Sequence, residues 1–379
     1  MKAYILLLFI STTIICCTSK EMIPTEVISD PWSAGNFIPA HKTLEYQDVQ
    51  RDTVLTVEIW YPSTSSSQRG EPTQNFEYLG ADRDAMRELL EDAPLGCPTT
   101  TTNAVRDAEP YISSDPFPLI VFSHCMNCGR YSSFSLAERL VSHGMIVLSV
   151  EHAGKLPFLD VSTGESLSEE QLGHRASDVR TLIDASIDQS LFSSYPELQD
   201  LKIDVDKIGA FGHSFGSATV GKLAQDDDRI IAVAGLAAPM DNILFPSVAM
   251  DNISIPTFLL LAEEDNSIGE IGNDILRSNY ENAHPPVWLM ELHDAGHWSI
   301  SDLCGITEAF QPGCGVGERH SKDREGEEFT YPPVSWSIEI TQRYLTTFFL
   351  SYMKDNGKAK DILENFPYEE GVHIKARLE

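Results

Sequence analysis

The chain has 379 residues, with 27 Lys+Arg against 57 Asp+Glu and a formal net charge of −30. Hydrophobic content of 42%, with aromatic residues at 9% of the chain, is enough for a full core and excludes wholesale disorder. The acidity excludes a nucleic-acid partner, since a phosphate binder needs a basic footprint, and argues equally against an anionic membrane surface.

The N-terminus reads as an export signal over residues 1–17. Lys2 is a minimal positive region, and Ala3 to Ile15 is an apolar run too short to span a bilayer. Ile14-Ile15-Cys16-Cys17 then resembles a bacterial lipoprotein box, with Cys17 or Cys16 as the lipidated residue; the alternative is an ordinary cleaved signal. The expected locations are the periplasm, the cell envelope or secretion, with a membrane reached only through an N-terminal lipid.

Residues 18–40 are polar and read as a leader, and 41–379 as a single α/β domain. Val54 to Tyr61 alternates and is β-branched, which predicts a strand. Residues 62–116 form a long insertion with a predicted helix over 82–91, and so long an insertion is usually functional, as a lid is. Pro118 to Ser123 is a continuous apolar run of buried-strand type. A helix over 131–143, a strand over 145–150 and a helix over 170–189 follow. Next come a strand at Lys207 to Phe211 and a helix from Phe215 to Gln225. Arg229 to Leu236, Thr257 to Ala262 and Pro286 to Leu292 are further strands. Residues 299–333 are a second insertion, and Ile338 to Met353 a final helix. Strands alternating with helices imply right-handed crossovers and a mainly parallel sheet flanked by helices.

Cys97, Cys125, Cys128, Cys304 and Cys314 lie beyond the signal, an odd number, and export permits disulfides among them. Cys304 with Cys314 is the favoured pair. Cys125 pairs with Cys128, or one of them with Cys97. The Cys125-Met-Asn-Cys128 spacing has no matching second Cys/His pair, so no metal is expected.

Gly212-His213-Ser214-Phe215-Gly216 stands directly after a strand and before a helix, the context a nucleophile elbow requires. The sharp turn lifts the Ser214 hydroxyl into the open and sets the Phe215 N–H at a helix N-terminus, where an anion is favoured. A serine needs a base, and in this fold the order is Ser, acid, His. Among the histidines that follow, His297 in Asp294-Ala-Gly-His297-Trp lies just past a strand, where the base belongs; His293 and His284 read as structural or surface residues. The acid is Asp265, at the end of Thr257 to Ala262, with Asp241 the runner-up and Glu264 pointing elsewhere. The second oxyanion donor comes from the loop Ser123 to Gly129 and is assigned to the Met126 N–H, with Cys125 the alternative. Trp298 is the candidate substrate contact. No cofactor is implied.

Val57 to Ser63 (VEIWYPS), PLIVFSH (118–124), LVSHGMIVLSVEH (140–152), RASDVRTLIDA (175–185), DKIGAFGHSFGSAT (206–219) and DAGHWSISDLC (294–304) occur in order. Together they resemble the α/β-hydrolases related to plasma-type platelet-activating-factor acetylhydrolase and the bacterial proteins called predicted dienelactone hydrolases. Two departures stand out. The family's oxyanion loop reads His-Gly, and here Cys125 replaces the glycine. The acetylhydrolase branch places its acid one strand earlier, at a position near Ala237 that cannot serve.

The resemblance and the residues together imply a serine carboxylic-ester hydrolase acting on short to medium uncharged esters. The alternatives are a phospholipase A2 or acetylhydrolase-like lipid-ester hydrolase, a peptidase or amidase on the same residues, and a catalytically silent surface binding module. The expected partner is a small-molecule or lipid ester.

Overall fold

The computed structural model describes residues 30–63, 102–152 and 166–379, together with Glu88, Ala93, Cys97 and Gly164. The predicted signal at 1–17 and most of the predicted helix at 82–91 lie outside these residues.

In chain order the strands are β1 (Ile38–Asp48), β2 (Thr53–Ser63), β3 (Val105–Arg106), β4 (Phe117–Ser123), β5 (Ile146–Val150), β6 (Ile203–His213), β7 (Ile230–Leu236), β8 (Thr257–Ala262), β9 (Val287–Leu292), β10 (Val316–Glu318), β11 (Glu328–Thr330) and β12 (Val372–Arg377). The described α-helices are α1 (Phe134–Ser142), α2 (Glu169–Ile187), α3 (Phe215–Asp226), α4 (Gly269–Asn282), α5 (Val334–Met353) and α6 (Gly357–Glu364). A ten-stranded sheet runs in the order β12-β9-β8-β7-β6-β4-β5-β2-β1-β3. Its centre, β5, β4, β6, β7, β8 and β9, is parallel throughout. Antiparallel strands extend both sides: β2 pairs β5, β1 pairs β2, and β12 pairs β9.

The central strands are apolar on both faces because helices cover both. On β4, Ile120 and Phe122 enter one core while Leu119 and Val121 enter the other, as the two-residue period of a strand requires. Leu136 and Leu140 of α1 and Leu345 and Phe348 of α5 fill the first core. Leu182 and Ile183 of α2 and Val220 and Leu223 of α3 fill the second. In a sheet wound this way, ligands bind beyond the carboxyl ends of the parallel strands, which brings the loops after β4, β6, β8 and β9 together.

The elements that sequence reading passes over lie at the margins. β1 begins inside the span read as leader, and its polar residues obscure the alternation. The preceding residues are also tied down, with the Phe37 N–H donating to the Ser142 carbonyl at the end of α1. β12 is a polar edge strand, VHIKAR. Helix α4 carries Gly269, Gly272 and three asparagines, which weaken its helical signature. The end of the first insertion is not a free lid: β3 pairs with Ala40 and His41 of β1.

The cysteines pair differently from the favoured reading. Cys97 is joined to Cys314, across 217 residues, and Cys125 to Cys128, while Cys304 is free and buried. The reason lies at Gly305, whose φ of +77° turns the chain so tightly that a Cβ there would sit 2.4 Å from the Cys97 Cβ. Cys97 thereby enters the space beside Cys314, and the bond ties the two insertions together. No helix among the described residues is long and apolar enough to cross a membrane.

Candidate active site

Strand β6 delivers Ser214 to a sharp turn before α3. Ser214 has φ 57° and ψ −121°, a conformation that costs a non-glycine residue about 1–3 kcal/mol and persists only where its surroundings enforce it. Two backbone bonds do so: Ser214 N–H to the Leu236 carbonyl at 2.9 Å, and Ser217 N–H to the Ser214 carbonyl at 2.8 Å. The flanking glycines are steric necessities. A Cβ at Gly212 would lie 2.0 Å from the Gly216 oxygen, and one at Gly216 would lie 1.9 Å from the Ser123 oxygen.

His297 stands on the loop after β9 and Asp265 on the loop after β8. His297 Nδ1 and Asp265 Oδ2 are 2.7 Å apart, and both residues are buried. The second carboxylate oxygen accepts the N–H groups of Ser267 at 2.8 Å and Ile268 at 3.0 Å, which fixes the plane of the acid. With Nδ1 engaged, Nε2 is the ring nitrogen left for a partner on the pocket side. Ser214 and His297 line the same pocket of about 750 Å³, together with Met126, Trp298, Phe310 and Glu308. Trp298 meets the His297 ring edge-to-face at 4.8 Å and Phe310 at the same centroid distance.

The structure thus brings Ser214, His297, Met126 and Trp298 to one pocket, with Asp265 behind the histidine. It does not bring the other candidates there. The Asp241 carboxylate accepts the Met250 N–H at 3.1 Å. His293 is half-exposed near Glu263, and His284 lies against the Asp251 carbonyl at 2.9 Å. Glu264 turns away to Arg319, Ser321 and the His320 N–H. Burial opposes its ionisation, but these bonds together hold its carboxyl below the usual range. Glu263, Glu264 and Asp294 place carboxylate oxygens within 4.8 Å of one another, but Arg319 and Arg324 already supply the positive charge. The group therefore acts as a brace behind the acid loop.

Sequence reading missed His213. Burial, and then the proximity of His297, hold its pKa well below the usual value, so it is neutral; its Nε2–H donates to the His297 carbonyl at 3.1 Å. It steadies the base from the backbone side. The structure also assembles a second Ser-His-Asp arrangement. Ser123 Oγ lies 3.0 Å from His152 Nε2, and His152 Nδ1 lies 2.8 Å from Asp178 Oδ2. Ser123 and the His152 side chain are fully buried and are not among the residues lining the pocket, so this set ties the end of β4 to α2. Burial pushes Asp178 up to about 6 despite Arg51 beside it.

The fold matches a solved structure, a ferulic acid esterase from Streptomyces cinnamoneus, with a TM-score of 0.64 at 21% identity, over 90% of this chain and 97% of that one. Residues 44–170 match the family model described as Platelet-activating factor acetylhydrolase, isoform II. Among curated proteins, the platelet-activating factor acetylhydrolase of Canis lupus familiaris is 27% identical over 37% of this chain and 39% of its own length. That of Bos taurus is 29% identical over 40% and 41%. The chain has the α/β-hydrolase fold, and residues 44–170 are similar to the platelet-activating factor acetylhydrolases. The matched stretches span about two fifths of the curated relatives' length. The family-model match carries β2 to β5 and the loop after β4 but ends before Ser214, Asp265 and His297. Their arrangement therefore stands on geometry. Ala237, just past the end of β7, is buried and carries no acid, and Asp265 lies just past β8.

Proposed function

We propose that this chain is an exported serine carboxylic-ester hydrolase acting on short to medium uncharged esters. The observation that carries the reading is the 2.7 Å Asp265–His297 bond beside a strained Ser214 in one pocket. His297 Nε2 takes the Ser214 proton as Ser214 attacks the ester carbonyl. The Met126 and Phe215 N–H groups hold the oxyanion. His297 then protonates the leaving alcohol, and water deprotonated by His297 cleaves the acyl-enzyme. Asp265 holds the ring in the right tautomer and stabilises its cation.

Trp298 and Phe310 favour an uncharged acyl or aromatic group, and Glu308 at the same pocket repels anions. The relatives are called acetylhydrolases and the structural neighbour an esterase, which supports ester over peptide cleavage. The apolar N-terminal run and the two disulfides support export. We read residues 41–379 as one domain behind that signal.

A second reading, a lipid-ester hydrolase, is favoured by one observation. Leu167 of the pocket is 47% exposed, and Ile271, a turn beyond the pocket residue Ile268, is 76% exposed. Hydrolysis of p-nitrophenyl esters from acetate to long-chain acyl, by wild type and Ser214→Ala, tests both. Activity on short esters that is lost in the variant supports the main reading. A long-chain optimum selects the lipid reading, and activity that survives the substitution overturns both.

A further inference from the structure

The loop after β4 must aim one particular N–H, that of Met126, and the fold holds the other end of the same peptide unit. The Cys125 carbonyl belongs to the peptide bond that carries the Met126 N–H. Two side chains converge on that oxygen: Arg175 Nη2 donates to it at 3.3 Å, and His124 Nδ1 lies 2.7 Å away. The His124 ring is itself held on both sides: Arg175 Nη2 lies 3.1 Å from Nδ1, and the His152 N–H and Glu151 Oε1 lie 3.2 and 3.3 Å from Nε2. Arg175 Nη2 also reaches the His124 carbonyl at 2.7 Å, gripping the two consecutive peptides that precede Met126. Its guanidinium lies 4.5 Å from the Phe215 ring centroid, and Phe215 supplies the other oxyanion N–H.

We infer that Arg175 is the positioning residue of the oxyanion hole: it fixes the Cys125–Met126 peptide plane and docks it on Phe215, so that the two N–H donors keep one mutual geometry. The inference rests on the serine-hydrolase reading above. A cation on the carbonyl end of an amide also polarises it and strengthens its N–H as a donor. Arg175 is fully buried on α2, and burying a guanidinium carries a desolvation cost that an apolar residue of the same size would avoid. Packing alone does not explain it. A lysine cannot reproduce the role in full, since a point charge lacks the planar fork.

The test compares an aryl acetate with the matching aryl thionoacetate. Sulfur is a weak hydrogen-bond acceptor, so a thionoester gains little from an oxyanion hole. In Arg175→Met, kcat on the oxygen ester is expected to fall about 10²-fold, the scale of a lost oxyanion donor. KM should stay within about threefold, because only transition-state binding is lost. The thionoester rate should change by no more than about threefold, and Arg175→Lys should recover part of the oxygen-ester rate. Circular dichroism and thermal melting establish that each variant is folded; if Arg175→Met is not, the oxygen-to-sulfur rate ratio of Arg175→Lys decides alone. Equal losses on both esters, or an unchanged oxygen-ester rate, overturn the inference. Failure of the serine-hydrolase reading looks different: Ser214→Ala would remain active whatever Arg175 does.

Discussion

Gly216 approaches Ser123 so closely that a Cβ at Gly216 would lie 1.9 Å from the Ser123 carbonyl oxygen. This contact joins the two halves of the site, the turn after β6 that carries Ser214 and the loop after β4 that carries Met126. Gly216→Ala must push them apart. The expected outcome is a stability loss of about 1–3 kcal/mol in chemical denaturation, as overpacking costs. Ester hydrolysis should fall by more than about 10²-fold, because the donors separate. Wild-type values on both measures would contradict the contact's importance.

Asp265 and Asp241 separate by role. Asp265→Asn leaves the shape intact but presents the wrong hydrogen-bond pattern to His297 Nδ1, so kcat should fall about 10³–10⁴-fold. Asp241→Asn removes a carboxylate that caps the Met250 N–H and should leave kcat near wild type. Steady-state kinetics of the two variants check the assignment, and the reverse ranking would refute it.

The two disulfides should also divide their effects. Cys125 and Cys128 enclose Met126 and Asn127, a loop too short for their bond to add much stability by closing it. Cys128→Ser should therefore lower kcat more than melting temperature. Cys97 and Cys314 close a separation of 217 residues, so Cys97→Ser should cost about 2–5 kcal/mol of stability while sparing kcat in the folded protein. Paired denaturation and kinetic measurements distinguish them.

His143 gives a pH dependence of stability. Burial, then the charge of Arg139, lowers its pKa from 6.5 to about 4, and the ring lies 3.0 Å from the Ser33 carbonyl. The folded-state pKa is depressed, so the unfolded chain binds the proton first as pH falls. The contribution of this group is intact above pH 6.5 and drains away between about 6.5 and 4. Across pH 5–6 it amounts to about 1.4 kcal/mol per pH unit. In urea denaturation, His143→Gln should flatten the acid side of the stability curve by that slope; an unchanged slope would rule the group out.

The parallel core and the Ser214, His297 and Asp265 positions were legible because each rests on local pattern: apolar runs, a glycine-bracketed serine, and polar residues just past strand ends. Arg175 and His213 were not. Arg175 on a helix resembles a surface residue until tertiary packing places it beneath Cys125. Cys97 could not be matched to Cys314, because nothing local reports a partner 217 residues away. The strands β1 and β12, beside and at the sheet's two edges, escaped because exposure on one side admits polar residues that erase the alternation.

The central claim is that Ser214 is the nucleophile. Mass-spectrometric mapping after a fluorophosphonate label tests it most directly. The account expects one adduct, on Ser214, absent in Ser214→Ala and slow to form in Asp265→Asn. An adduct on Ser123, which faces His152 in the second buried Ser-His-Asp set, would contradict the account, as would an active enzyme that takes no label.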